Sequence, residues 1–166
     1  MDTRGRIYVA DTHNLRIVRV DDMSGAGWIT LGTRGAGANQ FNGPHGIFVD
    51  AGGRVYITDN NRIARVDDMS GTGWTTFGTF GHGTNQFAGG PYGVFVSADG
   101  RIYVTDGGNA RIVRINDMSG VGWITFGGRG SGTNQFLYQN GIFMDAAGRI
   151  YVADNENSRI VRINHM

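Results

Sequence analysis

The run Gly46-Ile47-Phe48-Val49-Asp50-Ala51-Gly52-Gly53-Arg54-Val55-Tyr56-Ile57-Thr58-Asp59 constrains this chain more than any other feature, because it returns. Versions occupy residues 93–106 and 141–154, and its second half opens the chain as Arg6-Ile7-Tyr8-Val9-Ala10-Asp11. Aligning the copies on Arg6, Arg54, Arg101 and Arg149 gives steps of 48, 47 and 48 residues. Such a period holds a whole supersecondary unit and lies in the range of propeller blades and solenoid turns. The second copy lacks two residues after Asp59 and gains one before Pro91, so both places are loops that tolerate length change.

Each period reads as four short strands: A (Ile47 to Val49), B (Arg54 to Thr58), C (Arg62 to Val66) and D (Trp74 to Phe77). Strand A is short and apolar on both sides, which predicts burial on both faces. Helices are disfavoured, since the chain has 29 Gly in 166 residues and only three leucines, Leu15, Leu31 and Leu137. Its apolar content lies mainly in Ile, Val and aromatics, and no stretch sustains a 3.6-residue period; the fold class is all-β. Asp-Ala-Gly-Gly (50–53) and Ser-Ala-Asp-Gly (97–100) are hairpin turns, which force antiparallel neighbours and argue against the parallel rungs of a β-helix.

A lone four-stranded meander cannot bury both of its faces, so copies must pack face to face around an axis as a β-propeller. The strand content is B-C-D over residues 5–31, full blades over 46–78 and 93–127, and A-B-C over 141–164. That makes 14 strands, three and a half blades, in a single partial propeller domain. Closed rings use about four to eight blades, so self-association is expected, most simply as a twofold dimer. Two chains would make six blades if a B-C pair is displaced at each junction, or about eight with gaps. An excised or engineered fragment with no function beyond folding and assembly is the competing expectation.

The pattern Pro-His-Gly-Ile-Phe-Val-Asp-Ala-Gly-Gly-Arg-Val-Tyr-Ile-Thr-Asp (44–59), followed in the other copies by Asn-x-Arg-Ile (14–17, 109–112, 157–160), resembles the NHL repeat. The resemblance extends over nearly the whole chain. It implies blades of an NHL-type propeller, a family whose members mostly bind proteins or RNA and sometimes act as lyases. One departure stands out: Gln139-Asn140 replaces the Pro44-His45 and Pro91-Tyr92 pairs.

The charged residues exclude several functions. Fifteen arginines, no lysine, 13 aspartates and one glutamate interleave without a block of either sign, so no nucleic-acid or membrane-surface footprint is expected. Without cysteine there is no disulfide framework or thiolate chemistry, and the compartment is left open. No signal peptide or membrane span is expected in the chain as read. Asp11, Asp59, Asp106 and Asp154 close every strand B; a carboxylate ring for calcium or acid-base work is one reading, and Asx-turn or arginine-paired structural roles are the favoured one. Arg19, Arg65, Arg114 and Arg162 are expected to lie over the blade edge and meet the Asp21-Asp22 or Asp67-Asp68 loop charges. Asp-Asp-Met-Ser-Gly lacks the ligand spacing of an EF-hand. Of the four histidines only His13 and His45 are expected near one another, with no third ligand nominated. No cofactor and no metal site is expected.

The copies differ from one another in a patterned way. Their A-B and C-D turns are nearly identical, whereas the B-C and D-A connections, which meander geometry brings to one end of the strands, are individual. Individual loops on a uniform scaffold suit a binding face; neutral drift in exposed loops is the alternative. That face would carry His13, Arg34, His45, Phe80, Tyr92, Arg129, Tyr138, Asn140 and Glu156 and bind a protein or small-molecule partner. The expected function is a non-enzymatic interaction module. A metal-dependent propeller lyase or hydrolase is the second reading.

Overall fold

Asp50 shows how the turn before strand B is made in three of the four copies. Its carboxylate accepts the Arg54 N–H at 2.9 Å and the Arg54 Nε–H at 2.7 Å, closing a turn in which Gly53 takes a φ of +87°. Asp145 does the same for Arg149, and Asp2 for Arg6. Turn chemistry of this kind pins the strand register.

In the computed structural model, which describes all residues 1–166, these hairpins extend into four antiparallel blade sheets. The first holds β1 (Ile7–Asp11), β2 (Arg16–Val20) and β3 (Ile29–Leu31). A two-stranded parallel ladder, β4 (Thr33–Arg34) with β5 (Gln40–Phe41), leads to the second blade: β6 (Pro44–Val49), β7 (Val55–Asp59), β8 (Arg62–Val66) and β9 (Thr75–Phe77). A second ladder, β10 (Thr79–Phe80) with β11 (Gln86–Phe87), leads to the third: β12 (Pro91–Val96), β13 (Ile102–Asp106), β14 (Arg111–Ile115) and β15 (Ile124–Phe126). The fourth blade is β16 (Gln139–Met144), β17 (Ile150–Asp154) and β18 (Arg159–Ile163). The D-A connections are therefore more ordered than loops, and an isolated bridge between Arg129 and Phe136 repeats the ladder once more.

Blades pack face to face through three apolar clusters, one at each junction. Alternation assigns the rows: Val55, Ile57, Ala64 and Val66 point back at the first blade, while Tyr56 and Ile63 point forward at the third. Phe41, Phe87 and Phe136, fully buried on the ladders and the bridge, each join one of these clusters.

One expectation is corrected. In the two inner blades strand B is the strand buried along its whole length, every residue of β7 and β13, whereas strand A varies: β12 is mostly buried, and β6 and β16 are largely half-exposed or exposed. Strand A is the inner edge and has a partner on one side only, so its other edge borders the axis. Gln139, which departs from the proline of the other copies, leaves the loop shape intact. It pairs with Asp154 as Pro44 does with Asp59 and Pro91 with Asp106, and its buried amide donates to the Arg111 carbonyl at 2.7 Å.

Candidate functional site

The site is built on the Asp that ends each strand B. Asp59 accepts the N–H groups of Asn42 and Gly43 at 2.7 and 2.8 Å and both Nε and Nη2 of Arg62, tying the incoming D-A loop to the B-C turn. Arg62 continues to the Ala36 and Gln40 carbonyls, both at 2.7 Å, and its guanidinium lies 5.6 Å from the Trp74 ring. The pattern recurs with Asp106, which takes the Ala88 N–H, Asn109 and Arg111, and with Asp154, which takes the Leu137 N–H, Asn157 and Arg159. Burial pushes the Asp106 carboxyl up, against the lowering effect of these donors. Asp11 is paired with Arg16 and Asn14, bonds that lower its pKa, and is 25% exposed. These carboxylates are saturated with donors and hold loops.

The inner strands meet backbone to backbone. A Cβ on Gly46 would strike the Tyr92 carbonyl, and one on Gly93 the Asn140 carbonyl. Thr58 donates to the Tyr92 carbonyl at 2.8 Å and Thr105 to the Asn140 carbonyl at 2.7 Å, while Thr12 reaches the Pro44 carbonyl at 2.7 Å. This close approach stacks the residues beside the glycines. His45 and Tyr92 lie 4.9 Å apart, Tyr92 and Tyr138 lie 5.5 Å apart, and the Tyr92 hydroxyl donates to that of Tyr138 at 3.2 Å. Below them a groove of about 360 Å³ runs along the inner edge past Gly46, Gly93 and Asn140.

Tyr138 is the unusual member. It stands where the other copies have Gly43 and Gly90, and it keeps a positive φ of +53°. A bulky side chain in that region costs about 1–2 kcal/mol. The signal was in the alignment of copies, where an aromatic replaces glycine at a turn.

Burial lowers the His45 pKa, with Asp59 opposing and His13 adding to the fall, so the imidazole is uncharged at neutral pH. Burial and the bond to Tyr138 push the Tyr92 phenol up to about 12. The surface they form stacks on flat groups and exchanges hydrogen bonds.

The remaining residues of the individual face are dispersed around this ladder. Arg34 and Phe80 sit on equivalent ladder strands, β4 and β10, and Arg129 on the corresponding bridge, one blade apart and exposed; Arg129 donates to the Gly108 carbonyl at 3.2 Å. Glu156 is exposed in the last B-C turn, its N–H bonded to the Leu137 carbonyl beside Tyr138. No three His, Asp or Glu side chains are grouped as metal ligands. No helix is long and apolar enough to cross a membrane.

Blades of up to four antiparallel strands, packed face to face with their inner strands in contact at one side, define a chain of β-propeller architecture. Residues 41–62 and 140–163 match the family model of the NHL repeat. No curated protein sequence matches it. Among solved structures it is similar to a streptogramin B lyase (18% identity, TM-score 0.68, covering 97% of this chain and 48% of that one). It is similar also to virginiamycin B lyase from Staphylococcus aureus (19%, 0.67, 97% and 49%) and to a chain of a nidogen/laminin complex (20%, 0.72, 95% and 54%). The chain thus spans about half the length of the structures it matches. At these identities the likeness is one of fold, and the fold serves a lyase and a nidogen/laminin complex alike.

Proposed function

We propose that this chain is a non-enzymatic NHL-type binding module, acting within a closed ring and taking its partner at the mouth of the axis. The observation that carries the reading is Tyr138. It occupies a glycine position at a conformational cost, and what that conformation achieves is the third ring of the His45-Tyr92-Tyr138 ladder. Backbone strain of this kind clusters at ligand-binding sites. The partner that fits is a protein loop or small molecule presenting a flat group with hydrogen-bonding edges, with Arg34, Phe80 and Arg129 as rim contacts.

Peptides selected from a random display library on the immobilised chain provide the probe. Tyr92→Ala and His45→Ala should each weaken a selected peptide by tenfold or more, while Ser97→Ala, on the uniform opposite face, should leave it unchanged. Peptides indifferent to Tyr92 and His45 would refute the site. The lyase or hydrolase reading rests on the fold shared with the two lyases, and metal analysis of the purified protein separates it: stoichiometric zinc or calcium would replace the binding reading by a metal-dependent one.

A further inference from the structure

The two outermost sheets each present an apolar face with no neighbour. On the first blade the face comprises Ile7, Val9, Val20 and Met23 around the already buried Val18, and forms a groove of about 360 Å³ flanked by Trp28. Val9 is 47% exposed and Met23 89%. Their equivalents one repeat later, Ile57 and Met69, are 0% and 9% exposed, because the first blade lies against them. On the fourth blade the open face comprises Phe143, Tyr151, Ala153 and Ile160, with Phe143 58% and Ile160 68% exposed.

These faces are opposite halves of a contact the chain already makes three times. Tyr151, Ala153, Ile160 and Arg162 repeat, residue for residue, the Tyr8, Ala10, Ile17 and Arg19 row with which the first blade packs on the second. The row they take there, Val55, Ile57, Ala64 and Val66, is reproduced in character by Ile7, Val9, Val18 and Val20. Every internal junction joins one row of the first kind to one of the second, as Ile63 meets Val104 and Ile112 meets Val152. Like rows are never paired.

We infer that a second copy of this chain covers both faces head to tail, the first blade of each protomer packing on the fourth blade of the other. One observation favours a second copy as the occupant: the row identity just given, by which each open face matches the partner row that this chain itself carries at its other end. Two such contacts related by a twofold axis close a ring and cover both rows, whereas the same contact without closure would build a fibre. The ring would also turn the inner-edge groove beneath His45 and Tyr92 into a channel. This inference rests on the ring half of the proposed reading; peptide binding reports on the loop face and mass on closure, so each can fail without the other.

Light scattering coupled to size exclusion should give twice the chain mass for the wild type. Val9→Lys alone and Ile160→Glu alone should each weaken association at least a hundredfold and run as monomers with unchanged far-UV circular dichroism. Phe143→Glu is the alternative if Ile160→Glu does not fold. Mixing Val9→Lys with Ile160→Glu should restore the dimer, since one contact is then untouched and the other pairs Lys with Glu. A wild-type monomer at the highest soluble concentration, open-ended oligomers, or a dimer that survives either single substitution would overturn the inference.

Discussion

Asp59→Ala is the substitution whose cost the structure sets most sharply. The carboxylate is fully buried and accepts four hydrogen bonds, two from the Asn42 and Gly43 N–H groups and two from Arg62. Removing it leaves a guanidinium and two amide donors without their acceptor, for which breaking a buried pair typically costs about 3–5 kcal/mol. In a chain of this size each kcal/mol lowers Tm by about 2–4 °C, so a fall of roughly 6–20 °C is expected. Urea unfolding followed by tryptophan fluorescence suits the measurement, because Trp74 stacks 5.6 Å from Arg62. Wild type and variant must be compared at one protein concentration if association contributes. Asp11→Ala is the internal control, the same residue at the same repeat position with its carboxylate partly in water, and it should change stability little. The reasoning fails if Asp59→Ala lies within about 1 kcal/mol of wild type, the range of an exposed pair, or if Asp11→Ala proves equally damaging.

Three further outcomes are expected. Gly46→Ala and Gly93→Ala drive a Cβ into the neighbouring inner strand's carbonyl and should each cost about 1–3 kcal/mol of overpacking, whereas Gly141→Ala, which meets only the Ala153 methyl at 3.9 Å, should be silent in the monomeric Val9→Lys background. Tyr138→Gly should hold or raise thermal stability by up to about 1 kcal/mol through relief of its positive φ while losing affinity for a peptide that binds the ladder; a large destabilisation would show that the ring serves packing instead. Burial pushes the Asp2 carboxyl up, but the Arg6 guanidinium and the Arg6 and Arg4 N–H groups outweigh it and hold the group at about 2, below its value of 3.8 in an unfolded chain. Its folded pKa is depressed, so its stabilisation is present above pH 3.8 and is lost as pH falls through about 2; the stability gap between wild type and Asp2→Asn should be full at about pH 5 and closed near pH 2.

Period, turn residues and strand alternation were enough to specify blades, because each depends on neighbours within one hairpin: Asp50 finds Arg54 four residues away, and Tyr56 and Ile57 point to opposite faces wherever the strand is placed. The division into individual and uniform loops was legible for the same reason, since a meander must return its B-C and D-A connections to one end. What the sequence could not show depended on contacts between blades. Strand A read as doubly buried from its apolar run, yet it lies at the inner edge, and only the packed blades reveal that strand B is the one covered on both faces. The His45-Tyr92-Tyr138 ladder joins residues from three different repeats. Its spacing is fixed by Gly46 and Gly93 letting inner strands touch, a distance that no local pattern encodes.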